Sequence, residues 1–155
     1  MLFIIIHQVY ELWFKQIIYE LDSVINIFLK DDINESNIST AVSRLTRITE
    51  IQKILIDQVG VLETMTPMDF LDFRDLLVPA SGFQSKQFRL IENKLGLDQK
   101  KRFTYGNTNY KTYLNQNDSK DVQDSENQSN LFILMEKWLE RTPFLNWGNT
   151  SFWKE

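Results

Sequence analysis

The spacing of apolar residues predicts helices along most of this chain. Residues 2–29 are apolar on most of the helix circumference up to Tyr19, and beyond it at intervals of three and four. This pattern indicates a long first helix whose first half is wrapped by other helices. Apolar residues recur with the same period through residues 38–62, which predicts a second long helix.

A third, short helix is predicted to begin after Thr66 and to run to about Leu77. Thr66 offers a hydroxyl cap, Pro67 suits the first helical position, and Asp69 lies three residues after the cap. These residue types are typical of a helix start.

A fourth helix is predicted to restart at Ser81-Gly82 and to end at Gly96, because glycine commonly follows the last turn of a helix. Residues 115–130 are almost entirely polar, which predicts a mobile polar loop. Helical periodicity returns over residues 131–141. No alternating strand pattern persists, so we expect residues 1–155 to form a single all-α domain, a helical bundle.

Composition narrows the possible functions. The chain has 155 residues, 43% of them hydrophobic, and a formal net charge of −4, which disfavours a nucleic-acid partner. It has no cysteine, which excludes disulfides and thiolate chemistry and is compatible with the cytoplasm. Acidic and basic residues interrupt the apolar N-terminal run, so we expect no membrane segment.

His7 is the only histidine and the first candidate for chemistry. On the predicted first helix it shares a face with Phe3, Tyr10 and Phe14, because residues three and four apart lie above one another. It could be a core histidine bonded to Glu11 or to a backbone carbonyl. A His7–Glu11 metal pair is incomplete, since no other histidine or thiolate exists to add a ligand.

Arg74 is the second candidate. Its neighbours at three and four residues on either side are apolar, so no acid of its own helix can pair with it. Its positive charge could be compensated by an acid from another helix, solvated by water, or paired with an anionic ligand held by the guanidinium.

The chain contains the segments FIIIHQVYELWFKQ at residues 3–16 and LETMTPMDFLDFRDLLVPASGFQSKQFRLIE at residues 62–92. Both segments resemble the tryptophan 2,3-dioxygenase family. A further similar segment is LMEKWLERTPFL at residues 134–145, whereas residues 98–130 match poorly.

The resemblance implies roles for individual residues. It implies that His7 is the distal, catalytic-side histidine that hydrogen-bonds the indole N–H, and that Arg74 holds the substrate carboxylate. Phe3 and Phe70 are then aromatic contacts of the indole. The remaining implied positions are the pocket-lining Ile4, Ile5 and Ile6 and the haem-pocket residues Ser81 and Gly82.

The resemblance also implies an all-α fold of the indoleamine/tryptophan 2,3-dioxygenase type, here incomplete. Such an enzyme uses haem b and O₂ to open the indole ring of L-tryptophan, giving N-formylkynurenine, the first step of tryptophan catabolism by the kynurenine route. The family's proximal histidine has no counterpart here, so this chain is expected to hold no metal ligand. We therefore expect a partner: a missing C-terminal half or a companion chain, in a cytoplasmic homotetramer.

Two alternatives come from other functional classes. The same residues could form a non-catalytic helical interaction module, in which the apolar C-terminal end recruits a partner. A haem-free indole-binding protein is the other alternative. Tryptophan binding and product formation distinguish these possibilities from a dioxygenase.

Overall fold

The computed structural model describes residues 1–77, 84–98, 101–102 and 114–141, and the backbone of 146–147 and 150–151. Six helices and one hairpin of two two-residue strands occur in these ranges. The elements are α1 (Leu2–Phe28), α2 (Glu35–Glu63), α3 (Pro67–Leu77), α4 (Lys86–Leu95), α5 (Gln116–Glu126), α6 (Leu131–Arg141), β1 (Asn146–Trp147) and β2 (Thr150–Ser151).

The predicted all-α class is confirmed. The one exception is the small hairpin, in which β1 and β2 pair antiparallel with Asn146 opposite Ser151 and Trp147 opposite Thr150. None of the described helices is long and apolar enough to cross a membrane.

The hydrophobic core forms where α1 packs along α2, with α4 and α6 closing it from the side. Ile17, Leu21 and Val24 of α1 are almost fully buried there. The prediction that other helices wrap the first half of α1 is wrong for the described residues, because Ile5 is 47% exposed and Leu12 is 68% exposed. The described partner helices cover mainly the second half of α1, and the first half borders an open cleft.

A buried carboxylate joins α1 to α2. Glu20 is 1% exposed and accepts hydrogen bonds from Arg44 at 2.8 Å, Arg47 at 2.7 Å and Gln16 at 2.7 Å. Burial alone would raise the pKa of Glu20, but the hydrogen bonds from Arg47, Arg44 and Gln16 outweigh it and hold the pKa below its ordinary value. The carboxylate therefore stays charged inside the helix pair.

Helix α4 begins at Lys86. Ser85 caps this helix by accepting a hydrogen bond from the amide of Phe88 at 3.1 Å. The predicted restart at Ser81-Gly82 lies outside the described residues. The end of α4 agrees with the prediction, since Gly96 lies in the left-handed region with φ of 89°.

The predicted loop at residues 115–130 is wrong where α5 forms. Asn115 caps this helix, and Val122 is completely buried. The side-chain amide of Asn93 on α4 donates hydrogen bonds to the carbonyl of Val122 and to the hydroxyl of Ser125. These buried polar contacts stabilise a helix that has too few apolar residues to be predicted from periodicity.

Candidate functional site

A cleft of about 1390 Å³ lies between the first half of α1, α3 and the start of α4. Its lining is mostly apolar and aromatic, with a few charged groups. Phe3, His7, Phe70 and Arg74 all contribute to it, so the structure brings these four predicted site residues together. The volume exceeds the range typical of a pocket for one small molecule, about 300–1000 Å³.

An aromatic cluster from two helices lies at one side of the cleft, where Phe3 and Phe70 are part of the lining. The Phe3 ring centroid lies 5.5 Å from that of Phe70 and 6.0 Å from that of Phe73. Phe70 and Phe73 are themselves in edge contact at 5.6 Å. Their tilted and edge arrangements are favourable for aromatic pairs. This cluster fixes α3 against the N-terminal end of α1.

A capping box sets the direction of α3. The Thr66 hydroxyl accepts a hydrogen bond from the Asp69 amide at 3.2 Å, and the Asp69 carboxylate accepts one from the Thr66 amide at 3.0 Å. Hydrogen bonds from the Thr66 side chain and backbone lower the pKa of Asp69. The predicted helix start is confirmed, and it places Phe70 in the first turn, facing Phe3.

His7 is exposed in the cleft rather than buried in the core. Its Nδ1 atom lies 2.8 Å from the carbonyl oxygen of Phe3, one helical turn earlier, and its ring centroid lies 4.1 Å from that of Phe3. The alternative of a histidine bonded to Glu11 is wrong, since the Glu11 carboxylate instead accepts a hydrogen bond from Gln87. The Nε2 atom has no partner among the described residues.

Arg74 is exposed at the opposite side of the cleft, on α3. Within the described ranges it makes no hydrogen bond and no ion pair, and the nearby acids Asp72 and Asp75 are exposed. Its guanidinium is therefore available to an anion that enters the cleft.

The three isoleucines before His7 do not share one environment. Ile4 and Ile6 line the cleft, whereas Ile5 does not. Ile5 is two residues from both Phe3 and His7, which places it about 200° around the helix from each. Its predicted pocket-lining role is therefore not supported by this chain's own geometry. Ser81 and Gly82 lie outside the described residues.

The contribution of α4 to the cleft was not predicted from the sequence. Gln87 donates from Nε2 to the backbone carbonyl of Glu11 at 2.8 Å and to its carboxylate Oε2 at 2.7 Å. Phe88 packs on Phe14 with ring centroids 5.6 Å apart. These contacts join residues more than seventy positions apart, and no pattern within one helix indicates such a pairing.

A half-buried hydrogen bond joins the cleft lining to α2. The hydroxyl of Tyr10 donates to the carbonyl of Leu55 on α2. Burial raises the pKa of Tyr10, so the phenol stays protonated as this bond requires. The Tyr10 ring also packs edge-on against Phe14, with centroids 5.9 Å apart. The hydrogen bond from Tyr10 to Leu55 fixes the cleft side of α1 on α2.

The chemistry of the available donors decides whether this chain could ligate haem iron. It has one histidine and no cysteine. The described part of the chain contains no group of three or more His, Asp or Glu side chains that could hold a metal ion. If His7 serves the substrate side, no second imidazole is available, so the residues fit a substrate-facing wall and do not fit proximal ligation.

Comparisons with known proteins show which family the chain is similar to. The family model described as tryptophan 2,3-dioxygenase matches residues 1–155. The chain is 54% identical over 153 residues to "Tryptophan 2,3-dioxygenase" of Dictyostelium discoideum, covering 99% of this chain and 38% of that protein. It is also 54% identical to the protein of that name from Bdellovibrio bacteriovorus, covering 99% of this chain and 43% of that protein.

A vertebrate relative extends the comparison. The chain is 50% identical over 153 residues to "Tryptophan 2,3-dioxygenase B" of Danio rerio, covering 98% of this chain and 38% of that protein. The chain spans about two fifths of the length of these curated relatives. Because the family model matches residues 1–155, the chain belongs to the tryptophan 2,3-dioxygenase family.

Proposed function

We propose that this chain supplies the distal, substrate-recognising part of a haem-dependent dioxygenase that opens the indole ring of L-tryptophan with O₂. The product is N-formylkynurenine, and the reaction is the first step of tryptophan catabolism by the kynurenine route. One observation carries the proposal: His7, Phe3, Phe70 and Arg74 line a single cleft. Membership of the family supports the choice of reaction.

Arg74 is the proposed carboxylate-binding residue. It lines the cleft without a partner among the described residues, and a guanidinium can hold a carboxylate through two parallel hydrogen bonds. The amino acid would therefore bind with its carboxylate toward α3 and its side chain toward α1.

Phe3 and Phe70 are the proposed indole contacts. Their rings are 5.5 Å apart and tilted by 59°, so they border a flat aromatic ligand as a corner and do not enclose it as parallel plates. Ile4 and Ile6 extend this apolar lining along α1. An indole placed here is removed from water on at least one face.

His7 is the proposed acceptor for the indole N–H. The carbonyl of Phe3 can only accept, so the Nδ1 atom of His7 must carry the proton of that hydrogen bond. In the neutral imidazole, Nε2 is then unprotonated and accepts a hydrogen bond. The local helix geometry thus selects the tautomer that the proposed contact needs.

Haem b is the proposed cofactor of the complete enzyme, where it would supply the activation of O₂. Its proximal histidine must come from outside this chain, because His7 is the only histidine here. We therefore propose that this chain alone is inactive, and that it works with a C-terminal part or a companion chain. By family resemblance, the complete enzyme is proposed to be a cytoplasmic homotetramer.

The test compares this chain with the complete protein that contains it. Haem, a reductant, L-tryptophan and O₂ are added to each, and N-formylkynurenine is measured by chromatography. We expect product from the complete protein and none from this chain alone. If the complete protein binds haem and tryptophan but forms no product, the dioxygenase assignment is wrong. Tryptophan binding without haem would favour the haem-free indole-binding alternative.

A further inference from the structure

The amide of Gln87 joins the start of α4 to the middle of the cleft side of α1. Its Nε2 atom donates to the Glu11 carbonyl at 2.8 Å and to the Glu11 carboxylate at 2.7 Å. Both oxygens accept and neither can donate, so the nitrogen and not the oxygen of the amide must face them. We call this pair of hydrogen bonds the Gln87–Glu11 clamp.

The clamp lies beside the residues proposed to bind substrate. Glu11 is one helical turn after His7 on α1, and both Glu11 and Gln87 line the cleft. Ser85, which caps α4, and Phe88, which packs on Phe14, flank Gln87. A shift of this first turn of α4 would therefore move one wall of the cleft relative to His7.

The other end of α4 is held independently of the clamp. Lys94 pairs with Asp22 on α1, and Ile91 is buried in the core with 6% exposure. Asn93 is bonded to α5. Lys86 in the first turn also pairs with Asp118 and Asp121 of α5, but these contacts do not reach α1. Loss of the clamp should therefore loosen only the first turn of α4, on the side that faces α1, and leave the rest of the helix in place.

We infer that Gln87 is a positioning residue for the amino-acid substrate: by holding the first turn of α4 on Glu11, it sets the distance between the α4 wall and His7. The inference rests on the proposed function. It concerns two residues that are half-buried, so the main consequence of losing the clamp is a change in cleft geometry and not a loss of core packing.

The test uses the complete protein that contains this chain, with kinetics for L-tryptophan. Gln87→Met keeps the side-chain length but removes both donors, and we expect KM to rise about tenfold. We expect kcat to change by less than about twofold. The variant loses binding energy that is equal in the ground state and the transition state, and the reacting groups remain. Gln87→Glu should raise KM further, since two carboxylates would then face each other.

Exchange of the two groups tests the contact itself. In the double variant Glu11→Gln with Gln87→Glu, the glutamine on α1 can donate to the carboxylate on α4, but no donor remains for the backbone carbonyl of residue 11. We therefore expect KM to fall clearly below that of Gln87→Glu without reaching the wild-type value. The matched control is Ser125→Ala, which removes a hydrogen bond between α4 and α5 away from the cleft. It should lower Tm without raising KM.

Three results would overturn the inference. They are an unchanged KM in Gln87→Met, a rise in KM for Ser125→Ala as large as for Gln87→Met, and no recovery in the double variant. A wild-type protein without tryptophan turnover would contradict the proposed function instead. Amide hydrogen exchange would then decide on the clamp. Gln87→Met should speed exchange over residues 86–89 and not over 93–95, and uniform or unchanged exchange would contradict it.

Discussion

The imidazole of His7 and the carbonyl of Phe3 are 2.8 Å apart, one turn from each other on α1. This hydrogen bond holds the ring above its own helix and directs the remaining nitrogen away from the backbone. The same hydrogen bond keeps the rings of Phe3 and His7 in contact, with centroids 4.1 Å apart, so that the two rings form one continuous surface. A ligand that lies against Phe3 is therefore close to the Nε2 atom of His7.

Replacement of His7 by alanine should weaken the use of tryptophan by the complete protein. A neutral hydrogen bond contributes about 0.5–1.5 kcal/mol, so we expect kcat/KM to fall about 2- to 12-fold from loss of the N–H contact alone. The measurement is steady-state formation of N-formylkynurenine.

1-Methyltryptophan supplies the control for His7, because it has no indole N–H to donate. The same His7→Ala change should have little effect on binding of this analogue. An equal loss of affinity for tryptophan and for 1-methyltryptophan would contradict the proposed hydrogen bond and favour a purely steric role for the ring.

Replacement of Arg74 by alanine should reduce tryptophan affinity by about 2–5 kcal/mol if the bound ligand buries the carboxylate pair. A loss below about 1 kcal/mol would mean that the pair stays in contact with water. The measurement is titration calorimetry on the complete protein containing haem.

Arg141 offers a matched control for Arg74, since it is exposed, bonded to the carbonyl of Lys30, and absent from the cleft lining. Arg141→Ala should leave tryptophan affinity unchanged. Tryptamine, which has no carboxylate, should bind the Arg74→Ala variant and the wild type equally. Unaltered tryptophan affinity in Arg74→Ala would remove the role assigned to this residue.

Replacement of Glu20 by glutamine should lower the free energy of unfolding by about 3 kcal/mol. The change leaves the guanidinium of Arg44 without its counter-charge, and Arg44 has only 25% of its side chain exposed. The side chain of Arg47 is 51% exposed and can return to water, which keeps the loss at the low end for a broken buried pair. Chemical denaturation at neutral pH measures the difference.

The effect of Glu20 should also depend on pH. Its pKa is lower in the folded chain than in the unfolded chain, where it is about 4.3. The stabilisation is therefore complete above that value and is lost as pH falls through the lower folded pKa. In a plot of the free energy of unfolding against pH, Glu20→Gln should therefore fall less steeply at acid pH than wild type. The exposed Glu50, paired only with Lys53, is the control, and Glu50→Gln should change neither stability nor its acid dependence appreciably.

Substitution of glycine by alanine should have opposite effects on stability at Gly96 and Gly60. At Gly96, with φ of 89°, a Cβ atom would lie 2.7 Å from Oδ1 of Asn130 and 3.0 Å from Cβ of Phe132. The backbone strain and the displaced Asn130, whose side chain caps the amide of Ile133, should together cost about 2–3 kcal/mol in Gly96→Ala.

Gly60 is the matched position inside α2, where a Cβ atom would meet nothing within 4 Å. Gly60→Ala should stabilise the chain by about 0.5–1 kcal/mol, because alanine loses less backbone entropy in a helix. Thermal unfolding of both variants gives the comparison. A destabilised Gly60→Ala, or a neutral Gly96→Ala, would contradict the conformations assigned here.

Local chemistry determined what the sequence could predict about the fold. The start of α3 followed from Thr66 and Asp69, and the end of α4 followed from Gly96, because each signal is complete within a few residues. The helix α5 was missed because its stability comes from Asn93, which lies about thirty positions earlier. A polar segment with one aliphatic residue gives no periodicity from which a helix could be predicted.

The candidate site was predictable only in part for the same reason. Family resemblance suggested His7 and Arg74 as site residues, and helical spacing predicted that Phe3 and His7 share one face. The same spacing indicates that Ile5 faces away from Phe3 and His7, although the resemblance implied a pocket-lining role for it. Gln87 carried no signal, since an isolated glutamine on a helix is ordinary until its partner Glu11 is known.

The cleft lining contains two proposed polar anchors, His7 on α1 and Arg74 on α3, beside the aromatic corner formed by Phe3 and Phe70. An indole fixed by His7 and a carboxylate fixed by Arg74 leave the α-ammonium and the α-hydrogen as the two substituents that mirror-image amino acids exchange. Two contacts do not distinguish mirror-image amino acids, and a third contact, with the ammonium, is required. Each proposed anchor is then one of three contacts, so His7→Ala and Arg74→Ala should each lower the preference for L- over D-tryptophan as well as the affinity.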